Sequence, residues 1–360
     1  MSVAKNVLRK LLYGVGVFGL IHRLRNRHTL TVFMFHRVLP KQSAEYQTAE
    51  KEFTFTVAGF GQCLDFIQRH YRIVSQADVT AHLNGQQRLP QCAGLITFDD
   101  GWRDTLLHAL PELKKRGLPA VLFLATEVID LQGNDWWQDV LVELIAQDGG
   151  LNRVESAIDA DKNLATQGYF LRGALAGRHP TAEDHAFRLR RVTATLAAMD
   201  ESQRQAILQP LISRPPGARQ MLNRADLELL RPSITIAGHG HSHAPLSHHP
   251  RASDDLVTCR AQLQAIDGED TIMSFPHGAY DQAALSQAQA AGYQVCYSSD
   301  PILINTARSR STPTLTPIPT QIPLGRIHIP ENEWTCDEKG IAAEKLATFL
   351  FFRPVEILKK

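Results

Sequence analysis

The stretch Leu95-Ile96-Thr97-Phe98-Asp99-Asp100-Gly101-Trp102 decides how this chain of 360 residues is read. Its first four residues are apolar or β-branched, as in a short strand buried on both faces. The run stops at two carboxylates and a glycine. Thr105 to Arg116 then has helical character, Gly117 supplies a C-cap, and Pro119 blocks continuation. Ala120 to Ala125 is apolar again and reads as the next buried strand. Strand, polar turn, helix and strand in succession place Asp99 and Asp100 at the C-terminal end of a strand, where parallel α/β folds keep their sites.

The same alternation recurs on both sides. Thr29 to Phe35 reads as a buried strand, and Thr56 to Tyr71 as a helix with Phe60, Leu64 and Ile67 inward. Strand signals return at Ser233 to Ala237 and Thr271 to Phe275. A helix capped by Asp281 and stopped by Gly292 leads to a strand at Tyr293 to Tyr297. The last strand is expected at Arg326 to Ile329 and the last helix from about Glu338 to Phe352. The pattern predicts a parallel sheet or barrel. Residues 131–230 differ, because Gln138 to Gln147, Asp184 to Met199 and Ser202 to Ile212 all read as helices. Pro215-Pro216-Gly217 then breaks the chain. This segment is expected to be a helical insertion. Residues 306–324, rich in Thr, Ser and Pro, read as a loop.

Composition narrows the function. Lys and Arg number 38 against 37 Asp and Glu, a net charge of +1, which argues against a general nucleic-acid binder. The 44% of hydrophobic residues supports a large core. The five cysteines, Cys63, Cys92, Cys259, Cys296 and Cys336, form no CxxC pair. That argues against a cysteine zinc site and a disulfide framework, and reduced thiols in a cytosolic protein are the simplest reading.

The N-terminus holds an apolar run of 11 residues, Leu11 to Ile21, flanked by Lys5, Arg9, Lys10 and by His22, Arg23, Arg25 and Arg27. A membrane span needs about 20 residues. Three readings stand: a short amphipathic helix packed on the domain, a cationic interfacial helix drawn to anionic headgroups, and an uncleaved signal anchor. The expected location is cytoplasmic with peripheral membrane contact through this helix, an exported form staying open.

Four polar clusters follow predicted strands: Phe35-His36-Arg37-Val38, Asp99-Asp100-Gly101-Trp102, Gly238-His239-Gly240-His241-Ser242-His243, and Ser274-Phe275-Pro276-His277-Gly278. Adjacent carboxylates at a strand end are expected to point to opposite sides and to repel unless a cation lies beside them. A helix N-cap explains one aspartate, but not two followed by glycine. His239 and His243 have the spacing of one helical turn, which would put both imidazoles on one face with His241 pointing away. Two histidines and one carboxylate make a catalytic zinc set with a position left for water. A surface histidine loop is the alternative, and His248 and His249 read that way. Pro276-His277-Gly278 reads as a turn whose backbone N–H could face an oxyanion, or as an ordinary turn. Trp136-Trp137 could stack on a sugar ring or seal the insertion onto the barrel.

Together these clusters resemble the polysaccharide deacetylases of carbohydrate esterase family 4, the NodB-homology family. Thr97-Phe98-Asp99-Asp100-Gly101 matches its first motif. His239 and His243 match its second, with Gly240 where a Ser or Thr is usual. Pro276-His277-Gly278 matches its third. The resemblance spans about residues 30–130 and 230–330. It implies a distorted (β/α)7-type barrel over residues 29–130 and 231–335, with residues 1–28 and 336–360 as terminal helices. It also implies Asp99 as catalytic base, Asp100, His239 and His243 as metal ligands, and the His277 backbone N–H in the oxyanion hole. The Arg that usually opens the third motif is replaced by Ser274, and the fourth and fifth motifs have no clear counterpart. The branch resembling exopolysaccharide deacetylases acting on poly-N-acetylglucosamine carries its acid histidine on the first strand, which makes His36 the general acid here. Arg326 is the substitute for the missing orienting arginine.

The resemblance thus implies a metal-dependent hydrolase that removes N-acetyl groups from amino sugars of a polysaccharide or glycan precursor. The metal expected is Zn²⁺, with Co²⁺ and Ni²⁺ as alternatives. Two other functions are carried: an O-acetyl esterase or non-sugar amide hydrolase on the same scaffold, and an inactive glycan-binding module.

Overall fold

The computed structural model describes residues 3–131, 136–160, 182–199, 201–212, 219–247, 251–307, 322–331, 336–337 and 340–355. The Pro215-Pro216-Gly217 break, His248, His249 and most of the Thr/Ser/Pro-rich loop lie outside them. The chain divides into two compact units, Met1–Glu127 with Leu222–Lys360, and Val128–Met221.

The larger unit is a distorted (β/α) barrel. Its strands are β1 (Thr29–Phe35), β2 (Ala93–Phe98), β3 (Ala120–Leu124), β4 (Ile234–Gly238), β5 (Glu269–Ser274), β6 (Val295–Tyr297) and β7 (Ile327–His328). β1 to β6 pair in chain order and in parallel. The segment ending in β7 closes the ring. Ser298 N donates to Leu324 O at 2.9 Å on the β6 side, while Phe33 and Met34 pair with Ile327 and His328 on the β1 side. β1, β2 and β3 are buried along their whole length, as expected of runs made of apolar residues, glycine and β-branched threonine. Val32, Leu95, Val121, Phe123, Ile272 and Tyr297 belong to the core between the strands. Each such side chain contributes roughly 1.5–3 kcal/mol by leaving water.

The expected helices form with local adjustments. Thr56 caps α3 (Val57–His70), its hydroxyl accepting from Gly59 N. The helix expected after Gly101 starts as a π-helical stretch, Thr105–Ala109, and continues as Leu110–Arg116, ended by Gly117 at φ +63°. Asp281 caps Gln282–Ala290. At the N-terminus, α1 (Val3–Gly14) and α2 (Val17–Arg25) are separated by Gly16 at φ +82°, so the apolar run is two short helices. Tyr13 stacks on Phe66 of α3, Phe18 meets Phe352 edge to face, and His22 stacks on Phe351 of the C-terminal helix Ala343–Phe351. The last helix begins later than expected. Cys63, Cys92, Cys259 and Cys296 are buried thiols outside any disulfide.

The smaller unit is helical in its described parts: Trp137–Ile145, Gly150–Ala160, Ala182–Ala197 and Glu201–Leu208. Trp136 and Trp137 are only 3% and 6% exposed, and the Arg204 guanidinium lies 5.3 Å from the Trp137 ring. Neither indole offers an open face, which overturns the sugar-stacking alternative.

Candidate active site

The first four clusters meet at the C-terminal ends of β1, β2, β4 and β5. β2 stops at Phe98, and Asp99 N donates to Phe35 O of β1 at 3.1 Å. Asp100 has φ +76° and Gly101 φ +110°. Side-chain alternation holds only inside a strand. The left-handed turn therefore rotates Asp100 back to the side of Asp99, and the two carboxylates face one site rather than opposite sides. His239 Nε2 lies 3.6 Å from Asp99 Oδ2 and 3.7 Å from Asp100 Oδ1.

The histidine pair is likewise not helical. Gly240 at φ +72° and His243 at φ +58° fold residues 239–243 into a loop, and this loop, not a helical turn, brings the rings together at 4.9 Å. Gly240 suits the left-handed position that a β-branched residue would strain. The loop is fixed from both sides. Thr126 N and Glu127 N donate to Gly240 O and His241 O. Asp255, in the first turn of α4 (Ala252–Ala265), accepts from His241 N at 2.7 Å and Ser242 N at 2.9 Å. His241 turns away, its Nδ1 3.0 Å from Thr126 Oγ1.

Asp100, His239 and His243 form a buried group with one donor atom each, all within 4.8 Å of one another. This group could hold a metal ion. His239 Nδ1 is 2.9 Å from the Ser274 carbonyl, which only accepts, so Nδ1 carries the proton and Nε2 keeps its lone pair. Burial and the neighbouring His243 lower the His239 pKa to about 4 against the pull of Asp99, keeping it neutral as a ligand must be. His243 Nε2 is 3.2 Å from Asp100 Oδ1. Separations of 3.2 and 3.7 Å bracket the roughly 3.3–3.4 Å between donors of a tetrahedral ion at about 2.0–2.1 Å. The residues fit a divalent ion.

Arg326 reaches in from just before β7. Its Nη1 and Nη2 contact Asp99 Oδ1 at 2.5 Å and Oδ2 at 2.8 Å. Its Nε donates to Ser298 O, and the Phe123 ring lies 5.1 Å below. Burial pushes the Asp99 carboxyl up, but Arg326, His239 and His36 outweigh it and hold the group below the usual carboxylate range. Asp100 is also held ionised, its burial outweighed by His243, His36 and His239. His36, between β1 and the short strand Arg37–Leu39, places Nε2 4.0 Å from Asp99 Oδ2. Its buried Nδ1 has no hydrogen-bond partner among the described residues. Pro276-His277-Gly278 forms one 3-10 turn, with His277 at φ +56° and its Nε2 3.2 Å from His243 O. Thus Asp99, Asp100, His36, His239, His243, His277 and Arg326 share one end of the barrel.

Two supports were not read from the sequence. Trp102 Nε1 donates to Asp100 Oδ2 at 2.9 Å, and the Arg37 guanidinium lies 3.9 Å over the same indole. Arg37 Nε in turn pairs with the buried Asp104 at 2.9 Å. Trp102 and Arg37 stand inside the quoted clusters, yet their spacing carries no sign of this stack. Asp255 lies outside every cluster, and its place in the first turn of a helix reads as ordinary N-terminal charge.

No family model matches the sequence, and no curated protein matches it. Solved structures do. A deacetylase of Streptococcus pyogenes, in complex with acetate, is similar at TM-score 0.54 and 13% identity, over 89% of this chain and 98% of that one. A de-N-acetylase from Aggregatibacter actinomycetemcomitans follows at 0.51 and 15%, over 89% and 99%. A polysaccharide deacetylase from Bacillus cereus is similar at 0.52 and 11%, over 89% and 69%. The chain has the fold of these deacetylases.

Proposed function

We propose that this chain is a metal-dependent polysaccharide deacetylase of the NodB-homology family, of the permuted exopolysaccharide branch, and that it removes N-acetyl groups from amino sugars of a glycan. One observation carries the reading: three buried metal donors stand beside an aspartate locked by a bidentate arginine. Residues assembled from four strand ends by left-handed turns are an expensive arrangement for a purely structural site. The deacetylases that share the fold support the same chemistry.

Asp100, His239 and His243 would hold the ion, for which Zn²⁺ suits the two imidazoles and one carboxylate, Co²⁺ and Ni²⁺ being accepted by the same donors. When bound, the ion would polarise the acetamide carbonyl and acidify a water. Asp99, ionised and aimed by Arg326, accepts the proton from the attacking water. The His277 backbone N–H donates to the oxygen that gains charge. His36 gives a proton to the departing amine nitrogen. Free amine and acetate leave.

The test is acetate release from N-acetylated sugars, polymeric and lipid-linked, with and without chelator. Metal-dependent release from an N-acetylated glycan supports the reading. Release from O-acetylated glycans alone would make the protein an esterase, and purified protein without metal or activity would leave a binding module.

A further inference from the structure

We infer that α1 and α2 dock the protein onto an anionic lipid surface, with the barrel mouth facing away from it. One side of the two helices is committed to the barrel unit through Tyr13, Phe18 and His22. The other side is bare. Val7, Leu8, Leu11, Val15, Leu20 and Leu24 are 54–66% exposed, and they are six of the twelve exposed large apolar side chains among the described residues.

Their spacing is not random. At about 100° per residue, Val7, Leu8, Leu11 and Val15 fall within an arc of roughly 100°. Lys5 and Lys10 lie about 60° beyond its two edges, and Arg23 stands at a similar angle beside Leu20 and Leu24. An apolar stripe with cations along its margins is the layout of a helix lying in a bilayer interface.

Charge selects the occupant. Residues 1–28 contain six Lys and Arg and no Asp or Glu, although the whole chain is near neutral. Arg25 is used internally, its guanidinium donating to Phe351 O and Arg353 O. Lys5, Lys10 and Arg23 stay exposed beside the stripe, and Arg27 is exposed just after α2. Such a one-sign field favours anionic headgroups, each cation near the surface adding to the attraction. Among the described residues no helix is long and apolar enough to cross a membrane, so the mode is docking rather than spanning.

The geometry fixes the orientation. α2 ends just before β1 begins at Thr29, and Cys92 N, ahead of β2, donates to Arg27 O. The helices therefore sit at the N-terminal ends of β1 and β2, whereas the candidate site lies at the C-terminal ends. Seven residues of β1 at about 3.3 Å each separate the two by roughly 20 Å.

The test is sedimentation of the full chain with vesicles of phosphatidylcholine alone or mixed with phosphatidylglycerol. Binding is expected to the mixed vesicles only and to weaken with salt. The double substitutions Leu8→Glu with Leu11→Glu, and Lys5→Glu with Lys10→Glu, should each lower partitioning about tenfold or more. Both variants should hydrolyse a soluble oligosaccharide at the wild-type rate. Absent binding, binding unaltered by Leu8→Glu with Leu11→Glu, or a wild-type dimer that this variant dissociates would overturn the inference, the last by making a second copy the occupant.

Discussion

Arg326 and Asp99, 227 positions apart in sequence, form a fork-to-fork ion pair in which the arginine is fully buried and the aspartate nearly so. The pair fixes both carboxylate oxygens and leaves Oδ2 3.6 Å from His239 Nε2. Arg326→Lys keeps the charge but loses the fork. It should lower kcat about 10²-fold with KM little changed and metal content intact. Arg326→Met should lower kcat further and cost roughly 3–5 kcal/mol of stability, because a buried charge loses its partner. Steady-state kinetics, metal analysis and denaturant melts separate these effects, and Arg326→Met with wild-type kcat would show that the pair has no part in the chemistry.

Trp102 holds the free oxygen of Asp100 while Asp100 Oδ1 faces the histidines. Trp102→Phe keeps a ring beneath Arg37 and removes only the indole donor. Metal affinity is expected to fall about 10–100-fold, as for other partners of metal ligands. Competition with a chromogenic chelator measures it, and unchanged affinity would assign Trp102 to packing alone.

The N-terminal helices should be acid-labile. Burial lowers the pKa of His22, and of His70 against it, from 6.5 to about 4. Asn26 Nδ2 lies 3.0 Å from His22 Nδ1 and the His70 carbonyl 3.2 Å from Nε2, a pairing that suits the neutral ring. Both folded values are depressed, so the unfolded chain binds more protons between pH 6.5 and 4. Stability is complete above about pH 6.5 and is lost as pH falls toward 4. Thermal melts across this range should show the slope, and His22→Gln should flatten it.

The thiols should be inert in the native state. Burial pushes Cys259 and Cys296 up to about 12 and raises Cys92 as well. Thiolate is the reactive form. A thiol reagent should label these three only after denaturant is added, which a time course of labelling by mass spectrometry reads directly.

Much of the barrel was legible because its signals are local. Thr29–Phe35 is a β-branched and aromatic run, Ala120–Leu124 is an uninterrupted apolar one, and Gly117 and Asp281 mark helix ends by their own chemistry. The site residues were legible as types at strand ends. Their geometry was not. The convergence of Asp99 and Asp100 depends on the positive φ of Asp100, which non-glycine sequence does not announce. The His239 and His243 spacing mimics a helix, but Gly240 and the Asp255 anchor make it a loop. Trp102 reaches Asp100 only because the left-handed turn between them folds the chain back, and Asp255 and Arg37 act across separate segments, so residue types alone do not show these contacts.

On the proposed mechanism Asp99 takes a proton at a site whose metal its neighbours would hold. Asp99→Asn keeps the shape and removes the base. The direct measurement is acetate release from an N-acetylated amino-sugar polymer by wild type and Asp99→Asn, each with its metal content determined. Equal metal content is expected, with a kcat lower by about 10²–10⁴ in the variant. Full activity in Asp99→Asn with its metal retained would contradict it.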